Sequence, residues 1–223
     1  MTTLLLRLVA ALVFVAQAPA PAASAQNRWE ADIRKFEEAD RVNPPPAGGV
    51  VFVGSSSIVR WNLAEAFPQL GDRAINRGFG GSVASDAVRY VDRIVVPYRP
   101  RLVVLYSGDN DLTGELTAEQ IADQFRQFVA RVRDGLPDAR IVLISIKPSL
   151  QRWALIGKAR AANAIIETDA KAASNVVFLN IEPLMLGADG KPRPELYVAD
   201  GLHMTADGYR IWTDALAPLL DPR

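Results

Sequence analysis

The sequence predicts an α/β fold, a three-layer α/β/α sandwich built on a parallel β-sheet. Its apolar runs, such as Val-Val-Phe-Val at residues 50–53 and Leu-Val-Val-Leu-Tyr at 102–106, do not alternate with polar residues. Such runs are expected of strands that are covered on both faces. Segments with helical periodicity separate them, and alternating strands and helices favour a parallel sheet. No internal repeat or interdomain linker is evident, so we expect one folded domain.

Residues 1–25 are predicted to be a secretory signal peptide. Arg7 gives a weakly basic start, residues 8–16 are apolar, and Ala23-Ser24-Ala25 matches an A-x-A cleavage signature. The alternative is an uncleaved membrane anchor, which needs about 18 or more continuous apolar residues. A glutamine and two prolines interrupt this stretch. We therefore expect cleavage near Ala25-Gln26, a periplasmic or secreted product, and no stable membrane insertion afterwards.

The composition narrows the possible functions. The chain has no cysteine and one histidine, which disfavours a transition-metal site, because such sites cluster imidazole and thiolate ligands. It also means that stability depends on the hydrophobic core rather than on disulfides. Loss of Arg7 with the leader leaves 24 basic residues against 25 acidic ones. With no basic stripe, a nucleic-acid partner is not expected. No cofactor is expected either, and the oligomeric state stays open.

The predicted strands are short apolar runs that end at polar or glycine-containing turns. They cover residues 49–53, 74–76, 101–106, 140–146 and 175–180.

Helical periodicity accounts for the segments around these strands. In the first helix Trp29, Ile33 and Phe36 share one face, and Pro44-Pro45-Pro46 ends it. Thr205 is placed to cap the last helix. The predicted helices cover residues 27–41, 57–67, 84–95, 117–134, 155–173 and 206–219.

Polar turns follow the first three strands, and a fourth precedes the last helix. Each one alone fits ordinary turn chemistry, and the glycine-rich turn lacks the G-x-G-x-x-G dinucleotide pattern. In parallel α/β sheets, however, ligands bind beyond the carboxyl ends of the strands. Four polar turns at one edge therefore predict a functional site. They are Gly54-Ser55-Ser56-Ser57, Gly78-Phe79-Gly80-Gly81-Ser82, Ser107-Gly108-Asp109-Asn110-Asp111 and Asp200-Gly201-Leu202-His203.

The chemistry expected at this edge is nucleophilic. A serine hydroxyl needs a base that titrates near neutral pH, and imidazole is the usual one. His203 is the only histidine, so it is the candidate base, although a lone histidine before a helix is more often a bystander. On composition alone Ser55, Ser56 and Ser57 compete as nucleophile.

In this order the four turns resemble the sequence blocks of the SGNH hydrolases, the GDSL-type esterases and lipases. The resemblance spans most of residues 26–223, which it identifies as an SGNH hydrolase domain. It implies a flavodoxin-like fold with a five-stranded parallel sheet, and a serine esterase that needs no cofactor. Aligning Gly54 and Trp61 with the family pattern makes Ser56 the nucleophile. Ser55 then stands where the family's aspartate usually lies, and Ser82 replaces another frequent aspartate.

The resemblance also implies roles for particular residues. Ser56 would attack an acyl carbonyl, His203 would act as base and acid, and Asp200 would orient His203. The oxyanion hole would consist of the backbone N–H groups of Ser56 and Gly81 and the side-chain amide of Asn110.

Other polar residues at this edge have weaker interpretations. Asp109 and Asp111 are expected to brace their turn rather than to act in catalysis. Lys147-Pro148-Ser149, with Arg152 and Trp153, follows the fourth predicted strand. This segment could line an acyl or alcohol pocket, although most such residues are loop surface.

Three functions remain open at this point. The first is a secreted or periplasmic carboxylic-ester hydrolase that acts through an acyl-enzyme on small or short-acyl esters, since no long lid insertion is evident. The second is a carbohydrate O-acetylesterase or acyltransferase that uses the same Ser-His-Asp site. The third is a non-catalytic ligand-binding domain. The substrate is expected to be a small-molecule, carbohydrate or lipid ester, and the sequence leaves its acyl and alcohol parts open.

Overall fold

Five parallel strands form the central sheet of the computed structural model, which describes residues 28–220. Their spatial order is β2-β1-β3-β4-β5, the order of flavodoxin-like folds. The predicted fold class is thereby confirmed. The predicted signal peptide lies outside the described residues. The strands are β1 (Val50–Gly54), β2 (Ala74–Gly78), β3 (Leu102–Tyr106), β4 (Arg140–Ile144) and β5 (Val176–Leu179).

Helices cover both faces of this sheet. They are α1 (Glu30–Val42), α2 (Ser56–Val59), α3 (Leu63–Ala66), α4 (Ala84–Ile94), α5 (Ala118–Gly135), α6 (Ile156–Ala172), α7 (Glu182–Met185) and α8 (Ala206–Leu216). Helices α1, α4, α5 and α6 contribute to the apolar cluster on one face, and α2, α3, α7 and α8 to that on the other. None of the helices in residues 28–220 combines the length and apolar character that crossing a bilayer requires.

Alternate residues of each strand belong to the two apolar clusters, one on each face of the sheet. In β1, Val51 and Val53 belong to one cluster, and Val50 and Phe52 to the other, because successive side chains of a strand point to opposite faces. All residues of β1 are buried. Burial on both faces explains why this run shows no polar alternation in the sequence.

The segment after β1 differs from the predicted single helix 57–67. It forms two short helices, α2 and α3, with Trp61 between them. The Trp61 side chain is only 3% exposed, and its Nε1 donates to Thr213 Oγ1 at 3.3 Å. Asn62 then caps the next turn by accepting from Glu65 N–H at 3.4 Å. The prediction was wrong because burial of the indole and a new N-cap outweighed continued helical periodicity.

The strand order creates a crevice at one edge of the sheet. From β1 the chain passes to β2 on one side, and β3 lies on the other side of β1. Helical connections therefore diverge between β1 and β3, and ligands of such folds bind outside the carboxyl ends of the strands at this point. The turns after β1 and β3 both face this crevice.

Candidate active site

Ser56 lies at the end of β1, where the chain turns sharply into α2. The preceding Gly54 has φ +148°, and a Cβ there would lie 1.9 Å from the carbonyl oxygen of Tyr106 on β3. Only glycine allows this close strand approach. Ile58 N–H and Val59 N–H then donate to the Ser55 carbonyl at 2.9 and 3.1 Å. The turn thus places Ser56 as the first residue of α2.

A chain of hydrogen bonds joins Ser56, His203 and Asp200. Ser56 Oγ lies 2.8 Å from His203 Nε2, and His203 Nδ1 lies 2.6 Å from Asp200 Oδ2. The histidine side chain is 15% exposed and the aspartate side chain 40%. These contacts bring the first and the fourth predicted turns together in the arrangement of nucleophile, base and orienting acid.

The charge of Asp200 determines how His203 is oriented. Its hydrogen bond with His203 holds the pKa of Asp200 well below the usual range of a carboxyl group, and the backbone N–H groups of Leu202 and His203 lower it further. An ionised carboxylate accepts the Nδ1–H of the ring. Nε2 is then the nitrogen that is free to accept the Ser56 hydroxyl proton.

The loop that carries Asp200 and His203 is stabilised by its own backbone. Val198 N–H donates to the His203 carbonyl and Gly201 N–H donates to the Val198 carbonyl, each at 2.8 Å. Gly201 has φ +66°, a left-handed conformation that favours glycine. Asp200 Oδ1 also accepts from His203 N–H at 2.9 Å. Asp200 and His203, the predicted acid and base, are therefore positioned by a local turn.

The three consecutive serines have different surroundings. Ser55 and Ser57 are each 3% exposed, whereas Ser56 is partly exposed and contacts His203. Ser55, which replaces the family's usual aspartate, is buried at the start of the turn. The geometry thus separates three candidates that composition left equal.

The three donors assigned to the oxyanion hole come from three different turns. Gly81 has φ +80°, and a Cβ there would lie 3.3 Å from the Trp29 ring. Its backbone N–H has no partner among the residues that the structure describes. Asn110 Nδ2 donates to the Ser82 carbonyl at 2.9 Å, which leaves the second hydrogen of this amide for a ligand. The glycine-rich turn lies next to Ser56, because a Cβ on Gly80 would lie 3.9 Å from Ser56 Cβ, and the Asn110 contact with Ser82 joins the third turn to the glycine-rich one.

The aspartates on either side of Asn110 make buried structural contacts. Both oxygens of Asp111 accept from Ala84 N–H, at 3.1 and 3.3 Å, and so anchor the start of α4. Burial raises the pKa of Asp111. Asp109 Oδ2 accepts from the Tyr106 hydroxyl at 2.6 Å. Neither carboxylate contacts Ser56 or His203, which agrees with a bracing function.

Lys147 occupies a different place from the one that its loop position indicated. Its side chain is fully buried and its Nζ pairs with Asp109 Oδ2. It therefore lines no open pocket. A lysine directly after an apolar run is the only sequence signal for this pair, and the same signal is typical of an exposed strand end. Whether the Lys147 side chain is buried depends on how other segments pack around it, which the local sequence does not show.

Similarity to known proteins identifies the family of this chain. The model of the GDSL-like Lipase/Acylhydrolase family matches residues 49–211, which is more than half of the chain. The chain belongs to this family. It is a serine ester hydrolase of the SGNH, or GDSL, type. The match includes all four polar turns that meet at the crevice.

Individual proteins are similar to this chain in sequence or in fold. The chain is 28% identical over 212 residues to platelet-activating factor acetylhydrolase IB subunit alpha1 of Bos taurus, covering 92% of this chain and 88% of that protein. A GDSL-like lipase from Bacteroides thetaiotaomicron has a TM-score of 0.73 at 22% identity, covering 85% and 97% of the two chains. An acetylxylan esterase from Geobacillus stearothermophilus has a TM-score of 0.62 at 15% identity, covering 80% and 96%. At these identities the two solved structures show a shared fold.

Proposed function

We propose that this protein is a secreted or periplasmic carboxylic-ester hydrolase that acts on small or short-acyl esters through an acyl-enzyme. Ser56 is the nucleophile, His203 the general base and acid, and Asp200 the residue that orients His203. The oxyanion hole consists of Ser56 N–H, Gly81 N–H and the side-chain amide of Asn110.

One observation carries this proposal. Ser56 Oγ lies within hydrogen-bonding distance of His203 Nε2, and His203 Nδ1 within that of Asp200 Oδ2. A serine hydroxyl is a weak nucleophile unless a base accepts its proton, and His203 is positioned to act as that base. Ser56 is also the partly exposed member of the serine run.

The reaction proceeds in two stages. Ser56 Oγ attacks the ester carbonyl carbon while His203 Nε2 takes its proton, and the carbonyl oxygen becomes an oxyanion that accepts from the three donors. His203 then gives this proton to the departing alcohol as its C–O bond breaks, which leaves an acyl group on Ser56. In the second stage His203 removes a proton from water, the water oxygen attacks the acyl carbon, and Ser56 leaves with the proton from His203.

The preference for short acyl groups rests on two points. Residues 186–205, the longest connection at this edge, carry Asp200 and His203 themselves, and all other connections between the named strands and helices within residues 28–220 are shorter. The relative from Bos taurus is named an acetylhydrolase, and one similar fold belongs to an acetylxylan esterase. A panel of p-nitrophenyl esters should give the highest kcat/KM for acetyl or butyryl esters. A kcat/KM that keeps rising to long chains would contradict this preference.

A carbohydrate O-acetylesterase or acyltransferase is the second candidate. A groove of about 310 Å³ lies next to the loop that follows β4, and its lining includes Trp153, Asp189 and Lys191. An aromatic side chain beside charged groups suits a sugar, which has an apolar face and hydroxyl edges. This loop adjoins the acid turn, because Gln151 N–H donates to the Gly201 carbonyl at 3.0 Å. Acetate release from acetylated xylosides, with and without a sugar acceptor, separates hydrolysis from transfer.

Export forms part of the proposal and depends on residues 1–25. Their basic start, apolar stretch and A-x-A signature support cleavage near Ala25-Gln26. Mass spectrometry of protein from the periplasm or medium should find an N-terminus within a residue or two of Gln26. Recovery of the full-length chain from membranes alone would support an anchor instead.

The nucleophile is tested directly with a fluorophosphonate probe, which bonds to an activated serine. Digestion and mass spectrometry of the labelled enzyme should locate the adduct on Ser56. Ser56→Ala should be folded, unlabelled and inactive, whereas the matched controls Ser55→Ala and Ser57→Ala should retain labelling and measurable esterase activity. An adduct on Ser55 or Ser57, or full activity in folded Ser56→Ala, would refute the assignment.

A further inference from the structure

We infer that Arg152 is a positioning residue that holds the side-chain amide of Asn110 in the orientation needed to donate to the oxyanion. This inference rests on the proposed function, in which Asn110 Nδ2 is one of the three oxyanion donors. Arg152 lies in the loop between β4 and α6, far from Asn110 in sequence but next to it in the fold.

The contacts of Asn110 determine which way its amide points. Arg152 Nη2 donates to Asn110 Oδ1 at 3.1 Å, and Asn110 Nδ2 donates to the Ser82 carbonyl at 2.9 Å. A guanidinium can only donate and a carbonyl can only accept. A flipped amide would therefore lose both hydrogen bonds and turn its oxygen toward the Ser82 carbonyl. The observed orientation leaves the remaining N–H of Nδ2 without a partner among residues 28–220.

A buried set of charges keeps Arg152 in place. Its side chain is 15% exposed, and Nη1 lies 3.7 Å from Asp109 Oδ1, whose side chain is 5% exposed. The other oxygen of Asp109 is occupied by the Tyr106 hydroxyl and by Lys147 Nζ. Neither Arg152 Nη1 nor Asp109 Oδ1 has a hydrogen-bond partner among residues 28–220. The attraction between them is thus ionic, and burial strengthens it.

The backbone of this loop also links the two halves of the site. Arg152 N–H donates to Ser149 Oγ at 3.2 Å, and Tyr197 OH donates to the Pro148 carbonyl at 2.7 Å. Gln151 N–H donates to the Gly201 carbonyl, next to Asp200. The segment that carries Arg152 therefore contacts the acid turn on one side and Asn110 on the other.

Arg152 acts on Asn110 in two ways. It restricts rotation of the amide, which lowers the reorganisation needed when negative charge develops on the substrate oxygen. A cationic donor on Oδ1 also polarises the amide, and this makes its N–H a better donor. Both effects grow as the oxyanion forms, so they lower the barrier more than they improve substrate binding. Arg152 contacts the amide oxygen and not the nitrogen that faces the substrate, so its effect passes through Asn110.

A double-mutant cycle between Arg152 and Asn110 tests this. Arg152→Met should lower kcat about tenfold or more on an activated ester while KM stays within about threefold. In the Asn110→Ala background the same substitution should cost less than about twofold, because the group it positions is gone. Additive losses, or a wild-type kcat in folded Arg152→Met, would overturn the inference.

Two further variants keep the test decisive. Arg152→Lys retains a cationic donor and should recover part of the kcat lost in Arg152→Met. If the methionine variant does not fold, the cycle is run with Arg152→Lys, whose smaller loss of kcat should disappear in the Asn110→Ala background; an equal loss in both backgrounds would overturn the inference. Arg126→Met is the matched control, because it removes a partly exposed arginine that pairs with Asp169 on the helical surface, and it should leave kcat unchanged.

Failure of the proposed function would appear separately, as wild-type activity that survives Ser56→Ala. Ser56-dependent activity with an unaffected Arg152→Met variant would refute the Arg152 inference alone.

Discussion

His203 Nε2 lies 2.8 Å from Ser56 Oγ, although 147 positions separate the two residues in the sequence. Ser56 follows β1, and His203 precedes α8, which packs on the same face of the sheet as α2. The contact therefore depends on packing of the first and last parts of the domain on one side of a shared sheet. Any loss of that packing would separate the Ser56 hydroxyl from the His203 imidazole.

The first prediction concerns the dependence of these residues on one another. Ser56→Ala and His203→Ala should each lower kcat by roughly 10⁴-fold or more, because both disable proton transfer from the nucleophile. The double variant should be scarcely worse than either single one. Asp200→Asn should retain more activity than either, since the base is still present. Single-turnover and steady-state kinetics on one ester measure all four variants, and additive losses would mean separate roles.

The second prediction concerns pH. The pKa of Asp200 is held below its ordinary value, so this carboxylate stays ionised above about pH 4. A protonated imidazole cannot accept the Ser56 hydroxyl proton, so kcat/KM of the wild type should fall as the pH is lowered. No second ionisation from Asp200 should appear. Profiles from pH 4 to 9 for wild type and Asp200→Asn test this, and a flat wild-type profile would remove the imidazole base.

The third prediction concerns Gly81. Gly81→Ala adds a Cβ at φ +80°, 3.3 Å from the Trp29 ring, and should displace the backbone N–H that we propose faces the oxyanion. Removal of one such donor costs about 10²–10³-fold in kcat, so a loss of up to that size is expected. Gly190→Ala is a close control, because Gly190 has φ +72° and open space around the new Cβ. It should lose stability but not kcat; equal kcat losses in the two variants would indicate a general backbone effect.

The fourth prediction concerns stability. Asp111 is 2% exposed and accepts from Ala84 N–H, so Asp111→Ala leaves a buried donor without a partner. The free energy of unfolding should fall by about 1–3 kcal/mol. Asp123→Ala removes a surface carboxylate that pairs with Arg126 and should change it by less than about 1 kcal/mol. Urea denaturation of both variants measures the difference, and equal effects would contradict the anchoring function of Asp111.

Much of the fold follows from local patterns. The apolar runs at β1 and β3 predicted buried parallel strands, and the periodicity of residues 117–134 matches α5 closely. The break between α2 and α3 was missed, because it depends on Trp61 reaching Thr213 on α8. The ends of β4 and α8 also differ from the predicted bounds by a few residues, since pairing with a neighbouring strand and a proline at position 218 decide where each regular element stops.

In the site, too, local features could be predicted from the sequence and contacts between distant segments could not. The turns around Ser56, Gly81, Asn110 and His203 were found from the sequence, and their catalytic roles stay predictions until the variants are measured. The burial of Lys147 against Asp109 and the contact of Arg152 with Asn110 were not found, because each joins segments that are distant along the chain.

The sequence by itself determined the alternation of strands and helices, the polar turns at one edge of the sheet, and the short loop in which Asp200 and His203 are neighbours. These features depend on side-chain periodicity and on turns of a few residues. Only the tertiary structure decided that His203 reaches Ser56, which way the Asn110 amide points, and that Lys147 is buried as an ion pair. Those outcomes depend on distances between separate elements, which are determined by how the helices and loops pack on the sheet.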